Sequence, residues 1–535
     1  MAVLRLSGFQ GAIKALHPKL LPENVGVSSV NQRPGRGDLR PLRAPLTVAS
    51  VPAGRNTIYR MGRDVVSDTD YWLSWTGVVH AVRGFSADDT TERTYFTGDG
   101  EPKWTDNTKA LATAPYPTSA RTLGVPKPGT ALTAVASGGT STNADTRYYT
   151  YTYVTDIGEE SAPADPSQQL DCKLDDTVTL TGFATPPAGN YGITLMRVYR
   201  TASGTTGSDF LFLRELPVGT ATTTDDNRDL GEVLPTTYWD APPADLKWLT
   251  GLWNGMLAGI SGKAVRYCEP YTPYAWPKKY EVTMPDSTPV ALAVFGQTLL
   301  ILTTTKPRLA MGGDPASMDD QAVEFEQACL SARSTVSLGH GVVWAAPDGL
   351  AYMGSSGPRI VTQGILSRDD WQAMKPETII GARYEGAYLG FYNDGGGVKG
   401  FLIDPVSPQG IYYLDFGGAA TYLDTVTDGF YLLDGLNIKK WDAGSNLTAL
   451  FRSKEFRMPQ PTVAFACAEV VADVYPVTFR LYADGALKHT QTVTSREPFR
   501  LPSGYRANDY QVELQTQSPV QMVTLAHSMK ELAQA

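Results

Sequence analysis

One stretch, residues 249–441, limits the possible folds more than any other. Five times in it a glycine follows a short polar or aromatic turn and opens an apolar strand. The glycines are Gly255, Gly296, Gly341, Gly386 and Gly429, spaced 41, 45, 45 and 43 residues apart. The strands they open are 256–260 (MLAGI), 297–302 (QTLLIL), 342–346 (VVWAA), 387–391 (AYLGF) and 430–433 (FYLL), and each is followed by a turn and a second strand at 264–268, 308–311, 350–353, 398–403 and 438–441. A period of roughly 40–45 residues carrying several short strands is the mark of propeller blades. A lone blade cannot bury both its faces, so a run of them closes into a ring.

Alternating segments at 57–60, 71–75, 78–82 and 93–96, with the turn Gly98-Asp99-Gly100, add about one and a half blades. A ring of six or seven blades is expected. Between Pro126 and Pro243 the pattern changes. Residues 147–155 set Tyr149, Tyr151 and Tyr153 against Thr150, Thr152 and Val154, the alternation of a half-buried strand. Further short strands at 178–180, 193–200 and 210–215 give a β-sandwich like a fibronectin type III module. Past the last blade, the Asp484-Gly485 hairpin and strands near 510–515 and 520–525 make a second small β unit. At the other end Pro18, Pro22, Pro34, Pro41 and Pro45 rule out a continuous helix.

The expected fold is therefore all-β: a β-propeller with an inserted fibronectin-like β-sandwich and a C-terminal β domain. The expected units are an extended N-terminal arm (1–50), the first part of the propeller (51–125), the insert (126–240), the main blades (241–451) and a C-terminal sandwich-like domain (452–535). Helix is expected only at 368–374 and 528–533.

The 535 residues carry a formal charge of −9, which argues against firm, nonspecific nucleic-acid binding. Cys172, Cys268, Cys329 and Cys467 lie far apart without a CxxC pair and read as buried, reduced thiols. Arg5, Gln10, Lys14 and His17 break any N-terminal apolar run, so neither a secretory segment nor a membrane span is expected there. His17, His80, His340, His489 and His527 show no metal-ligand spacing, and each reads as an ordinary loop or core histidine. Asp225, Asn227 and Asp229 resemble the start of a calcium loop, but Gly231 falls one place late and Thr236 stands where the bidentate glutamate belongs. Neither Asp369-Asp370 nor Glu159-Glu160 supplies by itself the carboxylate separation of a glycosidase. Arg36-Gly37-Asp38 reads as a glycine turn. No enzyme and no cofactor is expected.

An ordered series of stretches resembles the tail nozzle proteins of bacteriophages, of the tail tubular protein B type. It comprises 20–25 with Asn31 and 37–43, then 93–105 (RTYFTGDGEPKWT), 151–163 (YTYVTDIGEESAP), 231–237, 269–277 (EPYTPYAWP), 348–350, 366–371 and 499–504. The resemblance implies a homo-hexameric ring at the distal end of a short tail, in the virion, after assembly in the host cytoplasm. Implied partners are an adaptor or gatekeeper ring, tail fibres or spikes, viral DNA in transit and the host outer-membrane surface. A gate needs segments that move at low cost. The Gly-rich tips at Asn393, Asp394, Gly395, Gly396 and Gly397 and at Gly204 and Gly207 are the candidates. Arg36, Asp38, Arg40 and Arg43 are the candidates for an arm reaching a neighbouring subunit. The competing expectation is a carbohydrate-binding or carbohydrate-active propeller for host-surface recognition, with acidic and aromatic side chains converging at one mouth.

Overall fold

The computed structural model describes residues 3–62, 67–86, 88–202, 209–226 and 229–534, leaving aside the side chains of 459–463. Seven small antiparallel sheets stand side by side as blades I to VII. Blade I has two strands, Thr57–Arg60 and Trp72–Trp75, with Leu73 bridged to Tyr116. Blade II runs His80–Arg83, Thr94–Thr97, Lys103–Thr105 and Arg121–Thr122. Blade III is Lys247–Gly251, Leu257–Ser261, Ala264–Tyr267 and Glu281–Thr283. Blade IV is Pro289–Phe295, Thr298–Thr303, Arg308–Met311 and Asp319–Ala322. Blade V is Val336–Ser337, Gly341–Ala346, Gly349–Gly354 and Gly357–Ile360. Blade VI is Ile380–Tyr384, Ala387–Asn393, Val398–Ile403 and Tyr412–Leu414. Blade VII takes Ala420–Asp424, Gly429–Asp434 and Asn437–Lys440 from one end of the ring and Leu46–Ser50 from the other.

The ring closes. Met61, Leu73 and Trp75 of blade I pack on Val79 and Phe96 of blade II. The first strand of each later blade touches that of the next, and the round ends where blade VII meets blade I. There Ile58 and Trp72 pack on Ala420, Tyr431, Leu433 and Ile438. Arg60 also crosses this seam to Asp424 at 3.2 Å, both side chains buried.

The periodic glycines sit at or just before the start of the second strand of blades III to VII, for two different reasons. Gly255, Gly296 and Gly386 have φ of 66°, 56° and 81°, in the left-handed region that a tight turn needs. Gly341 and Gly429 instead make room for an aromatic side chain. A Cβ on Gly341 would meet the ring of Tyr352 at 2.5 Å, and one on Gly429 the ring of Tyr431 at 2.9 Å.

The insert leaves blade II after Thr122 and returns at Lys247. Its two three-stranded sheets are Thr133–Ser137, Thr177–Thr181 and Thr222–Asp225, and Tyr149–Thr155, Ile193–Thr201 and Phe210–Pro217; a third sheet pairs Ala144–Arg147 with Leu170–Lys173. The two three-stranded sheets close over Tyr149, Tyr151, Tyr153, Val178, Leu180, Met196 and Val198. The tyrosine strand departs from the half-buried expectation, because all seven of its residues are buried. The chain after its turn runs back alongside it, and Ser161, Ala164 and Ser167 donate backbone hydrogen bonds to Tyr153, Tyr151 and Tyr149. The threonine hydroxyls then bond locally, Thr150 to the carbonyl of Ala164 at 2.8 Å and Thr152 to Glu160 at 2.6 Å.

Residues 1–50 are not an extended arm, and this corrects the expected division. Leu4–Ser7 pairs with Val520–Ala526, Gly26–Val30 pairs with Ala449–Ser453, and Leu46–Ser50 closes blade VII. The first two complete the C-terminal sandwich. One of its sheets is Leu4–Ser7, Val520–Ala526, Cys467–Ala472 and Phe499–Arg500; the other holds Gly26–Val30, Ala449–Ser453, Arg506–Thr516, Val477–Ala483 and Ala486–Val493. Alternation is clean in Val477–Ala483, where Val477, Phe479, Leu481 and Ala483 face inward. The prolines forbid helix, but they do not forbid short strands at the edges of other units. Leu42 is fully buried between blades VI and VII, among Leu389, Phe391, Leu402 and Trp441. Leu42→Ala is therefore expected to cost about 2–5 kcal/mol, read as a lowered urea midpoint. A loss below about 0.5 kcal/mol would mean that the segment is peripheral.

Candidate functional site

The first strands of the blades surround an axial cavity of about 180 Å³. Its wall includes Thr57, His80, Trp248, Arg333, Gly381 and Thr421, so five blades and one inter-blade link contribute. Two local devices bring the large side chains inward. In blade III the register slips between Lys247 and Thr250, and Trp248 takes φ 56°. A bulge re-aims a side chain, and a left-handed tryptophan is strained unless its surroundings hold it. They do: its indole N–H donates to the carbonyl of Leu292 at 2.8 Å, and its ring lies 3.7 Å from that of His80.

Arg333 sits on a single 3-10 turn, Ala332–Ser334, between blades IV and V. That turn is pinned on both sides. Ser331 Oγ donates to the carbonyl of Ile379 at 2.7 Å, and Ser334 Oγ accepts from the N–H of Ala345 at 2.8 Å. Arg333 Nη2 then reaches the carbonyls of Asn56 at 2.9 Å and Ala419 at 2.6 Å, bracing blades I and VII at their seam. Burial holds the Arg333 pKa below the usual guanidinium value. Burial, with the nearby Arg333 charge, pushes His80 down to about 4. Among the described residues no carboxylate lines the cavity. A space of 180 Å³ is worth about six waters at ~30 Å³ each, far too small for a nucleic-acid duplex.

A larger cleft, about 680 Å³, opens where blades II and III meet the insert, lined by Phe85, Asp89, Arg93, Tyr95, Glu159, Tyr271 and Tyr274. Behind the lining residue Arg93 lies the buried Trp104. The guanidinium of Arg93 lies 4.5 Å from that indole, Lys109 at 4.9 Å and Arg121 at 5.6 Å. Each cation also has an acid. Arg93 pairs with Glu159 at 3.2 Å, Arg121 with Asp156 at 2.5 Å, and Lys109 with Asp106. Tyr271 stands at the cleft mouth, 70% exposed, with φ 58°. A Cβ on Gly255 would meet its ring at 2.5 Å. Burial raises Tyr95 and Tyr274 to about 12. The stretches 93–105, 151–163 and 269–277, which carry no catalytic motif, converge here and weld the insert to the ring.

The residues singled out in sequence are dispersed. Asn393 to Gly397 form the exposed tip joining two strands of blade VI. The tip is tied down, with Asn393 Oδ1 accepting from Gly395 N at 3.0 Å, Asp394 Oδ1 accepting from Gly396 N at 2.9 Å, and Asp394 paired with Lys399 at 2.7 Å. Gly204 and Gly207 lie outside the described residues. Asp38 and Arg40 pair with each other at 2.9 Å. Arg43 bonds the carbonyls of Ala443 and Gly444 and, through its N–H, Asp442. Asp38, Arg40 and Arg43 are engaged within their own chain, and Arg36 is exposed. Asp225 is a buried structural carboxylate that accepts from Tyr149 at 2.9 Å and Arg200 at 2.7 Å, not the start of a calcium loop. Asp369 and Asp370 occupy the first turn of Arg368–Ala373, capped by Ser367. Among the described residues no group of three His, Cys, Asp or Glu side chains could hold a metal.

His80, Trp248 and Arg333 are not legible as a group in the sequence. They come from distant parts of the chain and meet only when the ring closes. The break in alternation at Lys247–Gly251 is the one local signal.

No protein-family model and no curated protein matches the chain. Among solved structures it is similar to an exo-β-1,3-galactanase from Phanerochaete chrysosporium (8% identity, TM-score 0.20, covering 90% of this chain and 99% of that one). It is similar also to PorZ of the type-IX secretion system of Porphyromonas gingivalis (11%, TM-score 0.24, 86% and 77%). A third is the extracellular domain of a hybrid two-component system from B. thetaiotaomicron (8%, TM-score 0.26, 94% and 63%). Likenesses this remote assign no ligand or activity, and the fold rests on the sheets themselves.

Glu159 gives the cleft a pH dependence. Burial outweighs the attraction of Arg93 and raises its carboxyl from 4.5 to about 7. The folded state thus binds this proton more tightly than the unfolded chain. The stability it contributes is complete below the unfolded value and is lost as pH rises through about 7. The loss is roughly 3 kcal/mol, at 1.36 kcal/mol per pH unit. Glu159→Gln keeps an acceptor for Arg93, and its melting temperature should fall less than that of wild type between about pH 5 and about pH 8. An unchanged pH dependence would mean that Arg93 already holds the carboxylate charged throughout.

Proposed function

We propose that the chain is a structural virion protein, one wall subunit of the nozzle ring at the distal end of a short phage tail, through which DNA is ejected into the bacterial host. The narrow axis of the closed ring is the observation that carries this reading. Seven blades closed on themselves, clasped by the N-terminal segment and braced by Arg333, form a stiff block whose axial space is too small for DNA. A channel for DNA then lies between copies, in a homo-hexamer, and each propeller is a panel of its wall. An acidic panel, at −9 per chain, repels phosphates and keeps a translocating duplex from sticking. The adaptor ring docks above the panels and fibres or spikes dock at the side. The exposed glycine-rich tip at residues 393–397 is the gate candidate of this reading, and opening it requires release of the Asp394–Lys399 pair. In this reading the subunit does no catalysis and works in the tail tip.

The second reading, a carbohydrate-binding propeller at the host surface, is favoured by one feature. Aromatic and acidic side chains do converge, at the blade II–III–insert cleft and not at the axis. Native mass spectrometry with negative-stain images, alone and after mixing with the adaptor, separates the two. A six-fold ring with a central hole is the expected result. A monomer that never assembles, together with a hit in a glycan array, would move the assignment to the second reading.

A further inference from the structure

The arginines that this fold buries come with acids. Arg60 faces Asp424 at 3.2 Å, Arg147 faces Asp145 at 2.6 Å, and Arg200 faces Asp225 at 2.7 Å. That is what solvation requires, since a cation taken out of water costs several kcal/mol unless a counter-charge and hydrogen bonds replace the water. Arg333, like the half-buried Arg359, is held by carbonyls instead. It is half-buried at the axis, its Nη2 is used by two carbonyls, and among the described residues no carboxylate forms an ion pair with it. Two carbonyl dipoles offset part of the cost and leave a net positive charge facing a small, open polar pocket.

The rest of the cavity suits the same charge. Among the described residues His80 has no hydrogen-bond partner, and as a neutral imidazole it offers one N–H donor. Thr57, Thr335 and Thr421 line the space. Thr57 Oγ1 donates to the carbonyl of Gly77 at 2.9 Å and accepts from Val79 N at 3.0 Å, and Thr335 Oγ1 pairs with Cys329 Sγ at 3.8 Å, so Thr421 is left to contribute its hydroxyl. Trp248 is held in a strained backbone conformation against His80, and strain of this kind persists where the surroundings impose it. The volume, about 180 Å³, admits a small polyatomic ion and excludes a nucleotide or a sugar chain.

We propose that the ring axis is a binding site for one small oxyanion, of phosphate, sulfate or carboxylate type, held by the guanidinium of Arg333 with His80 beside it. The bound anion supplies the counter-charge that the chain omits and ties blades I, V and VII together through Arg333. The site stands apart from the nozzle assignment and would hold for any role of the propeller.

The test is isothermal titration of the full chain with sodium phosphate, sodium sulfate and sodium acetate at constant ionic strength set with sodium chloride, with melting temperature followed in parallel. Saturable binding of one oxyanion per chain and a rise in melting temperature are expected. Comparing the three salts tells a phosphate or sulfate ion from a carboxylate. Arg333→Gln should weaken binding at least tenfold, and Arg333→Lys, which keeps the charge but loses the fork, should fall in between. Because Arg333→Gln also removes a brace, wild-type crystals soaked in tungstate give a reading that needs no variant: an anomalous peak beside the Arg333 guanidinium is expected. Titrations no different from chloride alone, equal binding by Arg333→Gln, or tungstate found away from the axis would each overturn the proposal.

Discussion

Everything in this molecule depends on one antiparallel pairing, Leu46–Ser50 against Asn437–Lys440. It brings together two segments nearly 400 residues apart in the chain. Without it blade VII would lose its outermost strand, and Val48, Ala49 and Val51 would no longer help cover the seam that buries Ile58, Trp72, Tyr431 and Leu433. The cost is entropic, since a very long loop must be closed before the contact gains anything, though that cost grows only with the logarithm of length. The apolar seam and the buried Arg60–Asp424 pair offset it.

The same segment does more than clasp the ring. Before reaching blade VII it gives one strand to each sheet of the C-terminal sandwich, and Val30 bridges in parallel to Tyr413 of blade VI. Arg33 fastens the passage between blades VI and VII, to Asp442 at 2.5 Å and Glu385 at 2.6 Å. Ring and terminal sandwich therefore share a continuous sheet. The insert is joined differently, through side chains around Trp104 and the hydrogen bond between Thr122 and Asn190. That weld is polar and aromatic, and it contains a carboxyl whose proton matters.

Local order is legible in the sequence and non-local order is not. Repeating glycines, the alternation of Val477–Ala483 and the Asp484-Gly485 turn, with φ of 47° and 77°, are short-range signals, and the structure carries each of them. The short helix Asn107–Ala110 escapes a sequence reading because its one cue, the capping Asp106, is a single residue. The N-terminal segment misleads for a deeper reason. Its strands, Leu4–Ser7 and Gly26–Val30, are four and five residues long, and their partners lie hundreds of residues away. Nothing local distinguishes such a strand from coil, since its structure comes from the sheet it joins. The tyrosine strand shows the same limit from the other side: alternation reveals the face that packs first and is silent on what later covers the second.

Closure also decides the electrostatics of the axis. In an open array of blades, Arg333 and His80 would face bulk water, where a charge is well solvated and screened. Once blade VII is clasped, Trp248 lies over His80 and the same side chains line a space of a few waters. The low local dielectric that strengthens the bonds of Arg333 to Asn56 and Ala419 also magnifies its unmatched charge. The chain as a whole is acidic, at −9, yet places no carboxylate among the described residues of this cavity wall. A half-buried cation held only by carbonyls is half of a pair whose other half, on the proposal above, is not part of the polypeptide.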